Sequence, residues 1–391
     1  MSEGPQERKP VCEPDNVQAA SLSGARTQQS NRHASRRRDN RRFSPDEHVY
    51  GALDLGTNNC RLLVARPSRR GFIVVDAFSR VIKLGEGITQ SGALSEQAMA
   101  RTIDALKVCA DKMIRRGVQR SRLIATEACR VASNAEEFVA RVREETGLEL
   151  EIIDRETEAR LAVSGCASLI DRQSDGALVF DIGGGSSELI FLDLRCMNDQ
   201  QKRRPHDRLW AQDCVAAWTS LPVGVVTLAE QFAGEPMDAR TFEAMVREVR
   251  RALHDFDTEH GVSGRIADSN THLLGTSGTA TTIAGIHLGL EYYDRRRVDG
   301  CWLSADQVRA VSERLTAMKH EERVRQACIG RERADLIIAG AAILEALLRA
   351  WTCERLRVAD RGLREGILAT LMAEDGVHDL WRRRPRRFRR K

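Results

Sequence analysis

The chain lacks the features that would set it apart from ordinary globular proteins. Nine of its 391 residues are proline, 5% are aromatic and 29 are glycine, which excludes a collagen repeat and a wholly disordered Pro/Gly chain. Ten cysteines are scattered from Cys12 to Cys353 with no CxxC pair and no Cys/His cluster. That spacing argues against a zinc module and a dense disulfide framework, so reduced thiols are expected. The longest uncharged stretch, Leu273 to Leu290, carries four glycines and four threonines and no continuous apolar face, so no membrane insertion is expected. The N-terminus has no apolar core after its charges, which speaks against a secretory signal and for a cytoplasmic protein. No GxxxxGK[ST] motif occurs, so a Walker-type NTPase is excluded.

What is present is 42% hydrophobic and 30% charged residues, a globular balance, in a length that fits two domains better than one. The net charge of +5 is unevenly spread: residues 1–45 carry +4 and residues 382–391 carry +8, leaving −7 for the body between them. Residues 1–45 are rich in Ser, Gln, Asn and Arg without apolar period, and are expected as a disordered basic leader; residues 376–391 form a basic tail. Arginines at both ends could contact a polyanion in a salt-sensitive way. Trp381 and Phe388 are the only aromatic residues in the tail, so base stacking has little support.

Folded sequence begins near His48. YGALDLGT, RLLVARPS and FIVVDAFSRVIK read as successive strands, followed by a helix over 95–116 with the stripe Met99, Ile103, Leu106, Ala110 and Met113. A strand at 122–126, a helix at 135–146 closed by Gly147, and a strand at 148–153 complete a βββαβαβ order. ALVFDIGGGSSELIFLDL then repeats the opening pattern of strand, acidic residue, glycine-bearing hairpin and strand, which suggests two related halves. A polar stretch over 195–212 reads as a loop. Later come a helix over 238–258, the strand–turn–helix LLGTSGTATTIAG, and a helix–strand–helix over 333–372. The mixture is α/β or α+β.

Two hairpins carry the first candidate chemistry. In Asp54-Leu55-Gly56-Thr57-Asn58-Asn59 and Asp181-Ile182-Gly183-Gly184-Gly185-Ser186, glycines let an anion approach the backbone amides, and each adjoining carboxylate suits a magnesium ion shared with phosphate. A third segment, Gly275-Thr276-Ser277-Gly278-Thr279, leads into a helix whose first amides favour an anion. One such hairpin alone would be an ordinary tight turn. Three together point to phosphate binding.

This three-part pattern resembles the actin-like ATPase and sugar-kinase superfamily, with two RNase H-like domains facing an interdomain cleft. Within it, IIDRETEARL at 152–161 resembles an element of the exopolyphosphatase/guanosine pentaphosphate phosphohydrolase family. So do ATEACRVASNAEEFV at 125–139, FDIGGGSSEL at 180–189, LPVGVVTL at 221–228, GTSGTATTIA at 275–284 and VADRGLREGIL at 358–368. The resemblance implies an α/β fold with an N-terminal RNase H-like domain over 46–157 and a C-terminal one over 158–375. It also implies Glu158 as the catalytic base that activates water. Asp54, Asp181 and Glu188 would lie on the metal side, with Mg²⁺ or Mn²⁺ as cofactor. Gly56, Thr57, Asn58, Arg130, Gly183, Gly184, Gly185, Ser186, Gly275, Ser277 and Gly278 would bind phosphate.

The implied activity is release of terminal orthophosphate from inorganic polyphosphate. The alternative is hydrolysis of guanosine pentaphosphate to guanosine tetraphosphate, with Arg295 to Arg297 near the region where the two readings part. An ATP-dependent kinase of the same fold and a non-enzymatic polyanion-binding protein rank below these, and a homodimer is compatible with any of them. Thr57 and Asn59 stand where the family typically has serine, and Arg155 where many members have glycine. The match ends near Met372, as in the short two-domain members of the family.

Overall fold

A computed structural model describes residues 48–69, 71–197 and 209–377. The leader over 1–45, nearly all of the tail over 376–391, and most of the polar loop lie outside the described residues.

Apolar strands pair into two sheets. Strands β1 (Tyr50–Leu55), β2 (Asn59–Ser68), β3 (Gly71–Val81), β4 (Arg120–Ala125) and β5 (Glu151–Ile152) form the first, in the order β3-β2-β1-β4-β5. β1 runs antiparallel to β2 and parallel to β4. The second contains β6 (Gly176–Ile182), β7 (Ser187–Asp193), β8 (Val215–Leu221), β9 (Thr271–Gly275), β10 (Trp302–Ser304) and β11 (Arg355–Val358), in the order β10-β11-β9-β6-β7-β8. The hairpins β1–β2 and β6–β7 sit alike: Asp54 and Asp181 each occupy the penultimate place of the first strand, opposite Arg61 and Glu188. The internal echo read from the sequence is therefore a repeated hairpin.

The helices follow the expected periodicity where they are amphipathic. Helix α1 (Glu96–Arg115) is capped by Ser95, whose side chain accepts from the Ala98 amide, and buries Met99, Ile103, Leu106 and Met113. Helix α2 (Ala135–Thr146) ends at Gly147, which has φ 69°. Helix α3 (Arg155–Cys166) had no amphipathic stripe to announce it, because Ala159 and every residue from Leu161 to Cys166 are buried. The strand expected over 148–153 is only Glu151–Ile152. Helix α4 (Ala239–His260) and helix α5 (Gly278–His287) belong to the second sheet's core, and the final helix α6 (Leu363–Glu374) packs on α3 and on β1, β2 and β4. The uncharged stretch from Leu273 to Leu290 resolves into β9 and α5, and no helix among the described residues is long and apolar enough to cross a membrane.

One expectation is corrected here. Cys196 and Cys214 are joined as a disulfide, while Cys60, Cys109, Cys129, Cys166, Cys301, Cys328 and Cys353 are free thiols. Two short 3-10 turns, Leu194–Cys196 and Leu209–Cys214, bring together sulfurs from opposite ends of a polar loop, which spacing alone does not reveal.

The outer strand β3 is fastened to α1 through Asp76, which accepts from Lys112 Nζ and Arg116 Nε, each at 2.8 Å. These two bonds hold its carboxyl down at about 2. A depressed folded-state value means stability that is present above the ordinary pKa near 3.8 and is lost as pH falls through about 2. Asp76→Asn should therefore cost about 1 kcal/mol at pH 7. In denaturant titrations the gap from wild type should close as pH falls from about 4 towards 2. A gap that is constant over that range would refute this assignment.

Candidate active site

Each hairpin turn spends its first glycine amide on closing itself, Gly56 N donating to the Asn59 carbonyl and Gly183 N to the Ser186 carbonyl, each at 2.9 Å, while other turn carbonyls are held from outside and the following amides stay unclaimed. In the first, the Thr57 carbonyl accepts from Gly85 N at 2.9 Å, and the Asn58 carbonyl accepts from Ile82 N and Lys83 N at 2.9 and 3.2 Å. In the second, Val225 N donates to the Gly183 carbonyl at 2.9 Å and Val226 N to the Gly184 carbonyl at 2.8 Å. The amides of Thr57, Asn58, Gly184, Gly185 and Ser186 have no hydrogen-bond acceptor among the described residues. Successive amides of that kind form an anion-binding concavity.

The two turns also touch. A Cβ on Gly184 would lie 3.0 Å from Thr57 Cβ and 3.4 Å from Asn58 N, so a side chain there would push the loops apart. Gly224 serves the same junction, since its Cβ would lie 2.3 Å from the Gly184 carbonyl oxygen. This gives LPVGVVTL a physical role: it delivers the first turn of the Val225–Gln231 helix onto the second loop.

The third segment divides. Ser277 caps α5 by accepting from Ala280 N at 3.2 Å, leaving the first-turn amides of Gly278 and Thr279 for an anion. Gly275 serves the core instead: it is the buried last residue of β9, and a Cβ there would lie 2.5 Å from the Phe180 ring.

Four carboxylates stand beside these loops, and all four are harder to ionise than usual. Burial raises Asp54, with Arg61 and Arg364 opposing, and burial raises Asp181. Burial, then the Asp181 charge, pushes Glu188 up to about 7 although Ser186 Oγ and Ser220 Oγ donate to it at 2.8 and 3.0 Å. Glu158, in the first turn of α3, is raised by burial and by Glu188, with Arg130 opposing. Its Oε2 accepts from Arg130 Nη1 at 2.7 Å and its side chain is 14% exposed.

Among the described residues no three of His, Cys, Asp and Glu stand together as a metal-holding group, and of the three carboxylates that the family resemblance put on the metal side Glu188 accepts from two serines. Asp54 and Asp181, both partly buried, would fit a looser arrangement: burial raises each, the Asp54 charge raises Asp181 further, and a hydrated cation would relieve both.

Arg130 is engaged by carboxylates: its Nε and Nη2 donate to Glu127 Oε2 at 3.0 and 2.7 Å, and its Nη1 donates to Glu158 and to the Ile153 carbonyl at 2.9 Å. Arg295 is likewise engaged, with Asp360 and with Glu365 Oε1 at 3.0 Å. The residues not singled out from sequence are Glu127, Arg61, Arg364 and Gly362. A Cβ on Gly362 would lie 3.7 Å from Asp181 Oδ2, which brings the VADRGLREGIL turn to the cleft. All but Arg61 lie inside segments the family resemblance had marked, but nothing local distinguishes a carboxylate that binds two arginines from one that faces solvent.

The model of the Ppx/GppA phosphatase family matches residues 63–375. A guanosine-5'-triphosphate,3'-diphosphate pyrophosphatase of Pseudoalteromonas translucida is 26% identical over 87% of this chain, and the chain spans 63% of that protein's length. A Haemophilus influenzae protein provisionally named an exopolyphosphatase is 25% identical over 84% of this chain and 93% of its own. The solved structure of the Aquifex aeolicus member of the Ppx/GppA protein family is 28% identical, covers 84% of this chain and 98% of that one, and superposes with a TM-score of 0.66. The two-sheet α/β architecture is thus the two-domain, actin-like ATPase fold, with RNase H-like halves.

Proposed function

The chain belongs to the Ppx/GppA phosphatase family, and from that premise we propose that it hydrolyses terminal orthophosphate from inorganic polyphosphate, with guanosine pentaphosphate as the alternative substrate. One observation carries the reading: a mostly enclosed glutamate, Glu158, is held by Arg130 beside two hairpins in which the amides of Thr57, Asn58, Gly184, Gly185 and Ser186 are open. The amides of Thr57, Asn58, Gly184, Gly185 and Ser186, with those opening α5, receive phosphate oxygens without reorganising. Glu158 takes the proton from the attacking water, and its raised affinity for protons brings it closer to the pKa such a base needs near neutral pH. Asp54 and Asp181 would hold magnesium, or manganese in its place, which when bound neutralises phosphate charge.

The same reading takes the protein to be cytoplasmic. It divides the chain near residue 157 into two lobes, with α6 returning to the first sheet.

The test is phosphate release with Mg²⁺ from long polyphosphate, short polyphosphate, guanosine pentaphosphate and ATP. Release from polyphosphate above that from ATP is expected. Release from guanosine pentaphosphate alone would select the alternative, and release from none of the four would reject both.

A further inference from the structure

Glu127 opens the short helix Glu127–Val131 directly after β4 and is only 8% exposed. It lies against the second phosphate loop, since a Cβ on Gly185 would sit 3.2 Å from its Cγ. An unneutralised carboxylate there would repel the phosphate the loop is built to receive. Two arginines answer it. Arg130 occupies Oε2, and Arg155 Nη2 donates to Oε1 at 2.7 Å while its Nε lies 3.3 Å from Oε2. Burial pushes the Glu127 carboxyl up, but the bonds from Arg155 and Arg130 outweigh it and hold it below the usual range.

The guanidinium group is rigid and planar, so fixing its Nε–Nη2 edge also fixes the direction of Nη1. In Arg130 the first edge is on Glu127 and Nη1 is on Glu158. Four residues thus form one line of alternating charge, Arg155–Glu127–Arg130–Glu158, with no net charge. Without Arg155, one Glu127 oxygen is left unpaired beside the phosphate loop and competes with Glu158 for Arg130.

We propose that Arg155 and Glu127 are positioning residues for the catalytic base: Arg155 satisfies the second oxygen of Glu127, so that Glu127 holds one edge of Arg130 and leaves the other to Glu158. This rests on the reading of Glu158 as the base. It gives a specific role to the arginine that stands where many family members have glycine.

The test is steady-state phosphate release from polyphosphate by the full chain and by the variants Arg155→Ala, Arg155→Lys, Glu127→Gln, Glu127→Gln/Arg155→Ala and Glu158→Gln. Arg155→Ala and Glu127→Gln should each lower kcat by about 10- to 30-fold, short of the roughly 100-fold cost of a 1 Å misplacement, with KM changed less than about threefold. The double variant should be no worse than Glu127→Gln alone, since both act through one oxygen pair. Arg155→Lys should recover part of the loss, because an ammonium reaches one oxygen but cannot fork. The side chain of Arg155 is 43% exposed, so Arg155→Ala leaves a folded protein in which to read the effect.

A rise in KM alone for Arg155→Ala would make it a substrate contact and overturn the proposal. So would wild-type kcat in both single variants, or losses that multiply in the double. If Glu158→Gln itself retained wild-type kcat, the base assignment would fall and this proposal with it, an outcome separable from the others.

Discussion

Glu158→Gln should lose at least about 100-fold in phosphate release while folding at least as firmly as the wild type. The two halves of that expectation have one cause. Glu158 is held in a place that disfavours its charge, through burial first and the Glu188 carboxylate second, and Arg130 only partly offsets them. A carboxyl whose folded-state pKa is raised stabilises the fold only below its unfolded value. Above that pH it costs stability, increasingly so until the folded pKa is passed. Glutamine keeps the shape and an oxygen for Arg130 Nη1 but carries no charge, so at pH 8 it removes the cost together with the base. The measurement pairs phosphate release with thermal unfolding at pH 5 and pH 8. The melting advantage of the variant should be larger at pH 8. Loss of activity accompanied by a lower melting temperature at both values would mean that Glu158 is structural and that the base must be sought elsewhere.

What could be read from the chain alone followed the range of the interaction. Each glycine-bearing turn is a hairpin of a few residues, so the hairpin geometry of Asp54-Leu55-Gly56-Thr57 and Asp181-Ile182-Gly183-Gly184 was legible. The strand–turn–helix around Ser277 was legible for the same reason. The Arg130–Glu127 pair is local, three residues apart in one short helix, whereas Glu158, 28 residues away, meets Arg130 only when that helix and α3 are adjacent. Arg155 stood out only as an arginine where many family members have glycine, since nothing in DRETEAR says that its guanidinium crosses to another segment. Gly275 looked like its glycine neighbours in the phosphate loops, and only the Phe180 ring against it shows a packing glycine. The Cys196–Cys214 pairing needed both ends of a loop to return to one place.

The packing of α3 against α6 is another feature of this kind, and it carries the other large expected effect. The two backbones meet through glycines: a Cβ on Gly366 would lie 1.9 Å from the Leu161 carbonyl oxygen, and one on Gly165 would lie 1.8 Å from that of Gly362. In an exposed helix, glycine to alanine gains about 0.5–1 kcal/mol from backbone entropy. Here the obstacle is a carbonyl inside a helix or at its cap, which cannot rotate away, so the helices must separate at a cost of about 3 kcal/mol or more. Gly366→Ala should therefore lower the melting temperature by roughly 5–10 °C. Activity should fall further than stability, measured well below the melt. Helix α3 carries Glu158 in its first turn, and the turn leading into α6 places Gly362 against Asp181, so a displacement of order 1 Å at this crossing moves both sides of the site and costs about 100-fold. Gly264→Ala is the control, because nothing lies within 4 Å of its Cβ position. That variant should be neutral or slightly stabilising and fully active. Equal behaviour of Gly366→Ala and Gly264→Ala would show that the α3–α6 crossing yields to a methyl group and does not set the position of Glu158.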